Sequence, residues 1–403
     1  MRLGLLVTVT LLLAFTLSLA MAAPPPNMDW PGWRGPLGDG ISPFTGINKN
    51  WTATPPALLW KVALTDGGYA GPSEADGVVF IIDHVADQDV VRALNLTDGS
   101  EVWRFAYADT AQADNGFARA TPLVAGGKVY TQSRLGKLNC LDEKTGALVW
   151  SRDIKAEFSG KQPQWAYSAS PLLDEKQLVV VPGGATSIVA LNPDTGATLW
   201  QGGADDQAGY TQPVVATILG VKQYVCFTGT MLQGVAADTG KLLWSYPWKT
   251  SYNVNSATPL VSANQIFITS GYGHGCAMLE ITAAGPQLKW ENKEILGKFN
   301  APISYQGYIF GGGDGFFACL NPATGAPLWK RGGVEQVSVV GLDGVLLILN
   351  GGSGVMTMMT ASAEQEILGE FTPLGGQSWT PPIIAQGKLI VRNKTALACY
   401  DLK

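Results

Sequence analysis

Ala190-Leu-Asn-Pro-Asp-Thr-Gly-Ala-Thr-Leu-Trp200 is the stretch whose reading decides the fold. It reads as a strand end, a tight turn and a second strand closing on tryptophan. The phrase returns at Ala93–Trp103, Asn139–Trp150, Val235–Trp244, Ala277–Trp290 and Ala318–Trp329. Thr-Gly closes the turn at Thr145-Gly146, Thr195-Gly196, Thr239-Gly240 and Thr324-Gly325, with Thr97-Asp98-Gly99 and Ala284-Gly285 as variants. Such turns need positive φ, which a β-carbon penalises. Recurrence at roughly 40–50 residues marks an array of small sheets sharing one continuous core.

Working outward, each unit has one plan. A Pro-led strand comes first, then a Gly-containing turn and an aliphatic strand such as Gly127-Lys-Val-Tyr-Thr131, and a Gly-rich hairpin. The Ala-Leu-Asn strand, the Thr-Gly turn and the Trp strand complete four short antiparallel strands. Opening strands start near Pro72, Pro122, Pro171, Pro213, Pro259, Pro302, Val339 and Pro381. Closing strands carry Trp60, Trp103, Trp150, Trp200, Trp244, Trp290, Trp329 and Phe371, so both sets number eight. They are out of phase: Trp60 precedes the first opening strand, and the last unit stops at Lys403 without a Trp strand. The expectation is an all-β, eight-bladed β-propeller of four-stranded antiparallel blades, closed by the N-terminal strand Leu58–Leu64 as the outer strand of the final blade. Seven blades is the alternative, because Val337–Phe371 lacks both the Thr-Gly turn and the tryptophan. One tryptophan per blade at a fixed phase is expected to pack against the neighbouring blade.

Composition agrees. Of 403 residues only 15% are charged, with 49 glycines and 24 prolines, as many short strands and tight turns require. A net charge of −5 without a basic run excludes a nucleic-acid footprint. Arg2, the apolar run Leu3–Ala20 and the small-x-small Ala20-Met21-Ala22 read as a signal peptide, residues 1–22, with an uncleaved anchor as the rival reading. No cysteine adjoins the cleavage site, which argues against a lipid anchor, and no later stretch is apolar enough to cross a bilayer. The expected location is periplasmic or secreted. Residues 23–57 form a Pro/Gly-rich arm, expected to lie against the body as a tether pinned by Trp30 and Trp33, and residues 58–403 form the propeller. Cys140, Cys226, Cys276, Cys319 and Cys399 are odd in number and widely spaced, so they read as buried apolar thiols rather than a disulfide framework or metal site.

The phrase Ala-Leu-Asn-x-x-Thr-Gly-x-x-Leu-Trp resembles the pyrroloquinoline quinone (PQQ) repeat of quinoprotein dehydrogenases and of BamB, the propeller component of the outer-membrane β-barrel assembly machinery. The likeness covers about residues 58–403, and Trp30–Gly40 resembles the opening of a group of exported bacterial PQQ-repeat proteins. The dehydrogenase branch implies a vicinal cysteine pair over the quinone, a calcium site and a catalytic aspartate, often with a Cys-x-x-Cys-His haem segment. This sequence has no adjacent cysteines and no Cys-x-x-Cys-His. The leading expectation is therefore a non-catalytic binding or scaffold protein of the envelope, with no cofactor or metal. The alternative is a PQQ-dependent oxidoreductase of alcohols or sugars, with PQQ and calcium at the channel mouth.

Residues just before each innermost strand should crowd one mouth of the central channel. Aligning the units on their opening prolines gathers Tyr69, Arg119, Ser168, Tyr210, Asn255, Asn300 and Trp379, with Trp165 and Tyr167 close by. Such a ring could stack a flat ligand, with Arg119 pairing a carboxylate; the bland reading is a water-filled channel. The expected partner is an envelope protein or a small ligand at this mouth. His84 and His274 are isolated and read as surface or loop-packing residues. Asp114, Asp314 and Glu335 are the carboxylates best placed to approach a face, without forming a pair. Gly271–Gly275 and Gly311–Gly315 lack a following Lys-Ser/Thr and helix, so they are turns rather than phosphate cradles.

Overall fold

A computed structural model describes residues 28–65, 67–111 and 116–403. The signal segment and Asp114 lie outside the described residues. Eight antiparallel sheets follow one another along the chain: 73–108, 123–153, 172–202, 214–247, 260–292, 303–332, 338–371 and 383–401, here blades 1 to 8. The strand Ala57–Ala63 pairs with Ala396–Asp401 and becomes the outer strand of blade 8. The protein is an all-β, eight-bladed β-propeller closed by its N-terminal strand. Blade 7 has four full strands despite its degenerate sequence, which excludes seven blades. Its register is held by fully buried Val345–Leu349 and by a buried Met356–Met359 run, so packing there replaces turn chemistry.

The repeated phrase has a packing explanation. Trp103 of blade 1 lies on the Thr-Gly turn of blade 2, where a β-carbon on Gly146 would sit 2.5 Å from the indole. The same arrangement joins Trp60 to Gly99, Trp150 to Gly196, Trp200 to Gly240 and Trp290 to Gly325. Glycine is thus required twice, for its positive φ and for the ring lying on it. The indole N–H also reaches a carbonyl of the next blade, from Trp60 to Leu96 (2.8 Å), Trp103 to Glu143 (2.8 Å), Trp150 to Pro193 (3.0 Å), Trp290 to Pro322 (3.0 Å) and Trp329 to Ser362 (3.1 Å). Each ring thereby removes a large apolar surface from water while keeping its one donor satisfied. Trp200 and Trp244 donate instead to Gln177 and Gln223 of their own blades.

The core lies between blades rather than within any one. Phe80 and Val91 of blade 1 pack with Val124 and Leu141 of blade 2, and comparable clusters bridge each following pair. Blades 7, 8 and 1 share the largest one. Every outer strand carries a bulge immediately before its tryptophan position, leaving Leu59, Val102, Val149, Leu199, Leu243, Lys289, Leu328 and Leu368 without a partner in the ladder. A bulge bends an edge away from regular pairing, so the eight exposed edges are poor templates for strand addition.

The arm does more than tether. Trp30 forms a bridge with Glu74 of blade 1, and Pro31 accepts from the N–H of Val124 in blade 2. The Trp33 indole N–H donates to Thr258 Oγ1 before blade 5 (2.9 Å), and Arg34 donates to the Pro302 carbonyl before blade 6 (3.0 Å). Ile41–Ser42 adds a parallel strand beside Ser338–Leu342 of blade 7, and Met28 accepts from Gln386 in blade 8. Residues 28–42 therefore cross the channel and plug it. Further on, Trp51 is buried and meets Phe371 edge-on at 5.1 Å. The arm thus supplies a tryptophan to the blade whose own outer strand lacks one.

Candidate functional site

Above the plug the channel widens into a cup of about 320 Å³. The segments leading into the innermost strands form its wall, since they are irregular and short and point their side chains to the axis. Of the residues expected at the mouth, Tyr69, Arg119, Trp165, Ser168, Tyr210, Asn300 and Trp379 line one cavity. Asn255 does not. It is fully buried, its amide donates to the carbonyls of Thr228 (2.8 Å), Gly229 (3.2 Å) and Trp248 (3.2 Å), and its Oδ1 accepts from Ser270 (2.8 Å). Four hydrogen bonds turn it into a loop clasp, and its neighbours Val254 and Ser256 take the lining position. Tyr167 is also withdrawn, buried with its hydroxyl on the Pro182 carbonyl.

The wall is an aromatic collar. Tyr69 stacks on Trp379 at 5.2 Å and Phe299 meets Trp379 at 5.0 Å. Across the cup, Trp165 contacts Tyr252 edge-on at 5.8 Å, and Tyr252 contacts Tyr272 at 5.4 Å. Lys298 joins the two arcs, its ammonium 4.6 Å from the Tyr272 ring and 5.3 Å from Phe299. Arg119 extends the second arc by donating to the Trp165 carbonyl. Trp165 N–H donates to the Tyr210 oxygen (3.1 Å), and burial pushes the Tyr210 phenol up to about 12. The Asn300 amide donates to the Gln336 carbonyl (2.8 Å), which orients the group and leaves Oδ1 without a protein partner.

Sequence alignment on the prolines missed Trp33, Tyr272 and Phe299. Phe299 stands three residues before Pro302, the same spacing as Tyr69 before Pro72, so the repeat phase points to it rather than to its neighbour Asn300. Tyr272 sits on a hairpin tip, and Trp33 comes from the arm, where no repeat phase exists to place it.

Neither histidine reaches the cup. His84 is buried, stacked on Phe117 at 3.5 Å with its Nδ1 2.9 Å from Asp89 Oδ1, and His274 packs edge-on against Trp248 at 4.4 Å. Asp314 occupies its hairpin turn and Glu335 lies outside the lining. Among the described residues no aspartate, glutamate, histidine or cysteine lines the cup, and no three such groups lie close enough to hold a metal ion. The five thiols are buried inside separate blades. Calcium needs oxygen ligands, carboxylates above all. The donor set in the cup therefore does not fit a calcium-bound quinone with a carboxylate base.

Fold and repeat define the class, an eight-bladed PQQ-repeat β-propeller. Residues 86–331 match the family described as outer membrane protein assembly factor BamB, and the chain belongs to that family. The BamB of Yersinia pestis is 24% identical over 323 residues, covering 73% of this chain and 74% of that protein. The crystal structure of BamB from Moraxella catarrhalis superposes with a TM-score of 0.63 at 15% identity, covering 86% of this chain and 99% of the other. A europium-containing methanol dehydrogenase superposes with a TM-score of 0.70 at 13% identity, covering 93% and 98%. At such identities the likeness to solved structures concerns the fold, and one fold hosts unrelated functions.

Proposed function

We propose that this chain is an exported, non-catalytic binding protein of the cell envelope, acting as a scaffold of the BamB type through the loops around its cup. The observation that carries the reading is the lining of the cup, aromatic and amide-rich with no carboxylate, imidazole or thiol among its described residues. The hydroxyls that are present, on Tyr69, Ser168, Ser170 and Tyr210, have no carboxylate or imidazole in the described lining to activate them as nucleophiles or bases. The relatives' name as outer membrane assembly factors supports a protein partner in the envelope. The Arg2, apolar-run and Ala20-Met21-Ala22 pattern supports export. No helix among the described residues is long and apolar enough to cross a membrane.

The test is titration of residues 23–403 with PQQ, with and without calcium, followed by tryptophan fluorescence and melting temperature. The expected result is no calcium-dependent binding. Saturable calcium-dependent binding accompanied by dye-linked alcohol or sugar oxidation would overturn the reading. Recovery of the full chain from the cytoplasm rather than the periplasm would remove its envelope part.

A further inference from the structure

Beneath the Trp33 floor a cavity of about 20 Å³ separates the arm from the blades, and Trp33, Asn300 and Pro381 border both it and the cup. Arg34 of the arm and Thr121, at the entry to blade 2, also line it. Arg34 is 7% exposed, and it donates to the carbonyls of Gly38 (3.0 Å), Asp39 (2.7 Å) and Pro302 (3.0 Å). It forms no ion pair among the described residues. Carbonyls satisfy N–H groups without cancelling the charge, and a buried charge lacking a counter-ion is costly. Burial accordingly lowers the guanidinium from 12.5 to about 10, with the Asp39 carboxylate offsetting only part of the effect. The Thr121 hydroxyl is buried with no hydrogen-bond partner. Two glycines keep the space open. A β-carbon on Gly71 would sit 2.4 Å from Thr121 Oγ1, and one on Gly40 would sit 3.5 Å from Arg34 Nη2.

We infer that this cavity is a site for a monoatomic anion of the chloride class, held by Arg34 and Thr121, which locks the arm across the channel. The guanidinium supplies the charge and the hydroxyl supplies a second donor, and charge-assisted hydrogen bonds of this kind are the strong ones. A water there would bridge the hydroxyl and leave the charge uncompensated. Room for one water-sized occupant excludes phosphate, sulfate and carboxylates, so size does the selecting. Arg34 also holds the Pro302 carbonyl before blade 6, so the anion ties blade 2 to blade 6 through the arm. The backbone at Arg34 sits at φ 66°, a conformation that a long side chain adopts at a cost and that persists where its surroundings enforce it. The site is independent of docking by an envelope partner, and its failure would leave the envelope reading standing.

The experiment is thermal melting of the purified chain in sodium chloride and in sodium gluconate at matched ionic strength, with anomalous diffraction from crystals grown in sodium bromide. Gluconate is too large for the cavity and serves as the reference anion. Chloride is expected to raise the melting temperature saturably, by about 2 °C at a tenfold excess over its dissociation constant. Bromide is expected to give an anomalous peak between the Arg34 guanidinium and Thr121 Oγ1. Thr121→Val removes the hydroxyl at nearly constant volume and is expected to weaken chloride about tenfold, the scale of one hydrogen bond to a charged group. Should that variant fail to fold, the bromide position in the parent chain decides. Water alone in the cavity overturns the proposal, as does equal melting in chloride and gluconate. A chloride effect undiminished in Thr121→Val overturns it as well.

Discussion

Trp51→Ala tests whether the arm is a structural part of blade 7. The indole is 1% exposed, meets Phe371 at 5.1 Å and 88°, and has its Cβ against Gly369, the glycine of that blade's bulged outer strand. Truncating a buried tryptophan to alanine costs about 3–5 kcal/mol. The indole N–H is buried without a hydrogen-bond partner, so its removal relieves an unsatisfied donor and places the cost near the lower end, about 3 kcal/mol. With an unfolding entropy of about 2.1 cal/mol/K per residue, a folded body of roughly 380 residues has about 0.8 kcal/mol/K, giving a fall in melting temperature of about 4 °C. Scanning calorimetry and guanidinium unfolding read the effect, with Leu37→Ala as control because Leu37 is 83% exposed. Trypsin should also cut the variant's arm at Lys49 sooner, since Lys49 is held by an ion pair to Asp343 at 3.3 Å on the same segment. A shift below 1 °C, indistinguishable from Leu37→Ala, would refute the docking argument.

Three further outcomes are expected. Gly240→Ala should cost about 2–4 kcal/mol, from a left-handed backbone and a methyl 2.5 Å from Trp200, whereas Gly220→Ala, with similar φ and open space around it, should cost only about 1–2 kcal/mol; equal losses in urea unfolding would contradict the indole-on-glycine packing. Burial, with Asp29 adding to it, pushes the Glu74 carboxyl from 4.5 up to about 8 beside the plug. Between those values the folded chain keeps a proton that the unfolded chain releases, so stability present below about pH 4.5 is lost progressively as pH rises toward 8. Glu74→Gln should flatten that loss and be the more stable form at pH 9, and parallel pH profiles would count against it. Burial pushes the thiols of Cys140, Cys276, Cys319 and Cys399 up to about 12, and that of Cys226 higher still, so none should react with a thiol reagent at pH 8 until the chain unfolds.

The propeller was legible in the sequence because its determinants are local and repeated. A Thr-Gly turn and a tryptophan at fixed spacing specify a strand pair, and the phase difference between opening and closing strands specifies the closure that Ala57–Ala63 makes with Ala396–Asp401. Tyr69, Arg119, Ser168 and Tyr210 converge on one cavity for the same reason, since each stands three residues before the opening proline of its innermost strand. Asn255 stands four residues before Pro259, one off that phase, which Ser256 holds in the lining; Asn300, one off in the other direction, also lines the cup, whereas three carbonyls draw the Asn255 amide inward. Where backbone is irregular, the direction of a side chain follows whichever unsatisfied polar groups lie nearest, and spacing carries no record of them.

By itself the sequence determined the blade plan, the closure by the N-terminal strand and the thiol burial, while the four strands of blade 7 decided eight blades over seven. Only the tertiary structure decided that residues 28–42 plug the channel, that Trp33 floors the cup and that Trp51 completes blade 7. The physical reason is separation along the chain. Trp33 meets Thr258 across 225 residues and Trp51 meets Phe371 from the opposite end of the molecule. Neither contact belongs to the repeat, so each exists only once the ring has closed and brought its partners together.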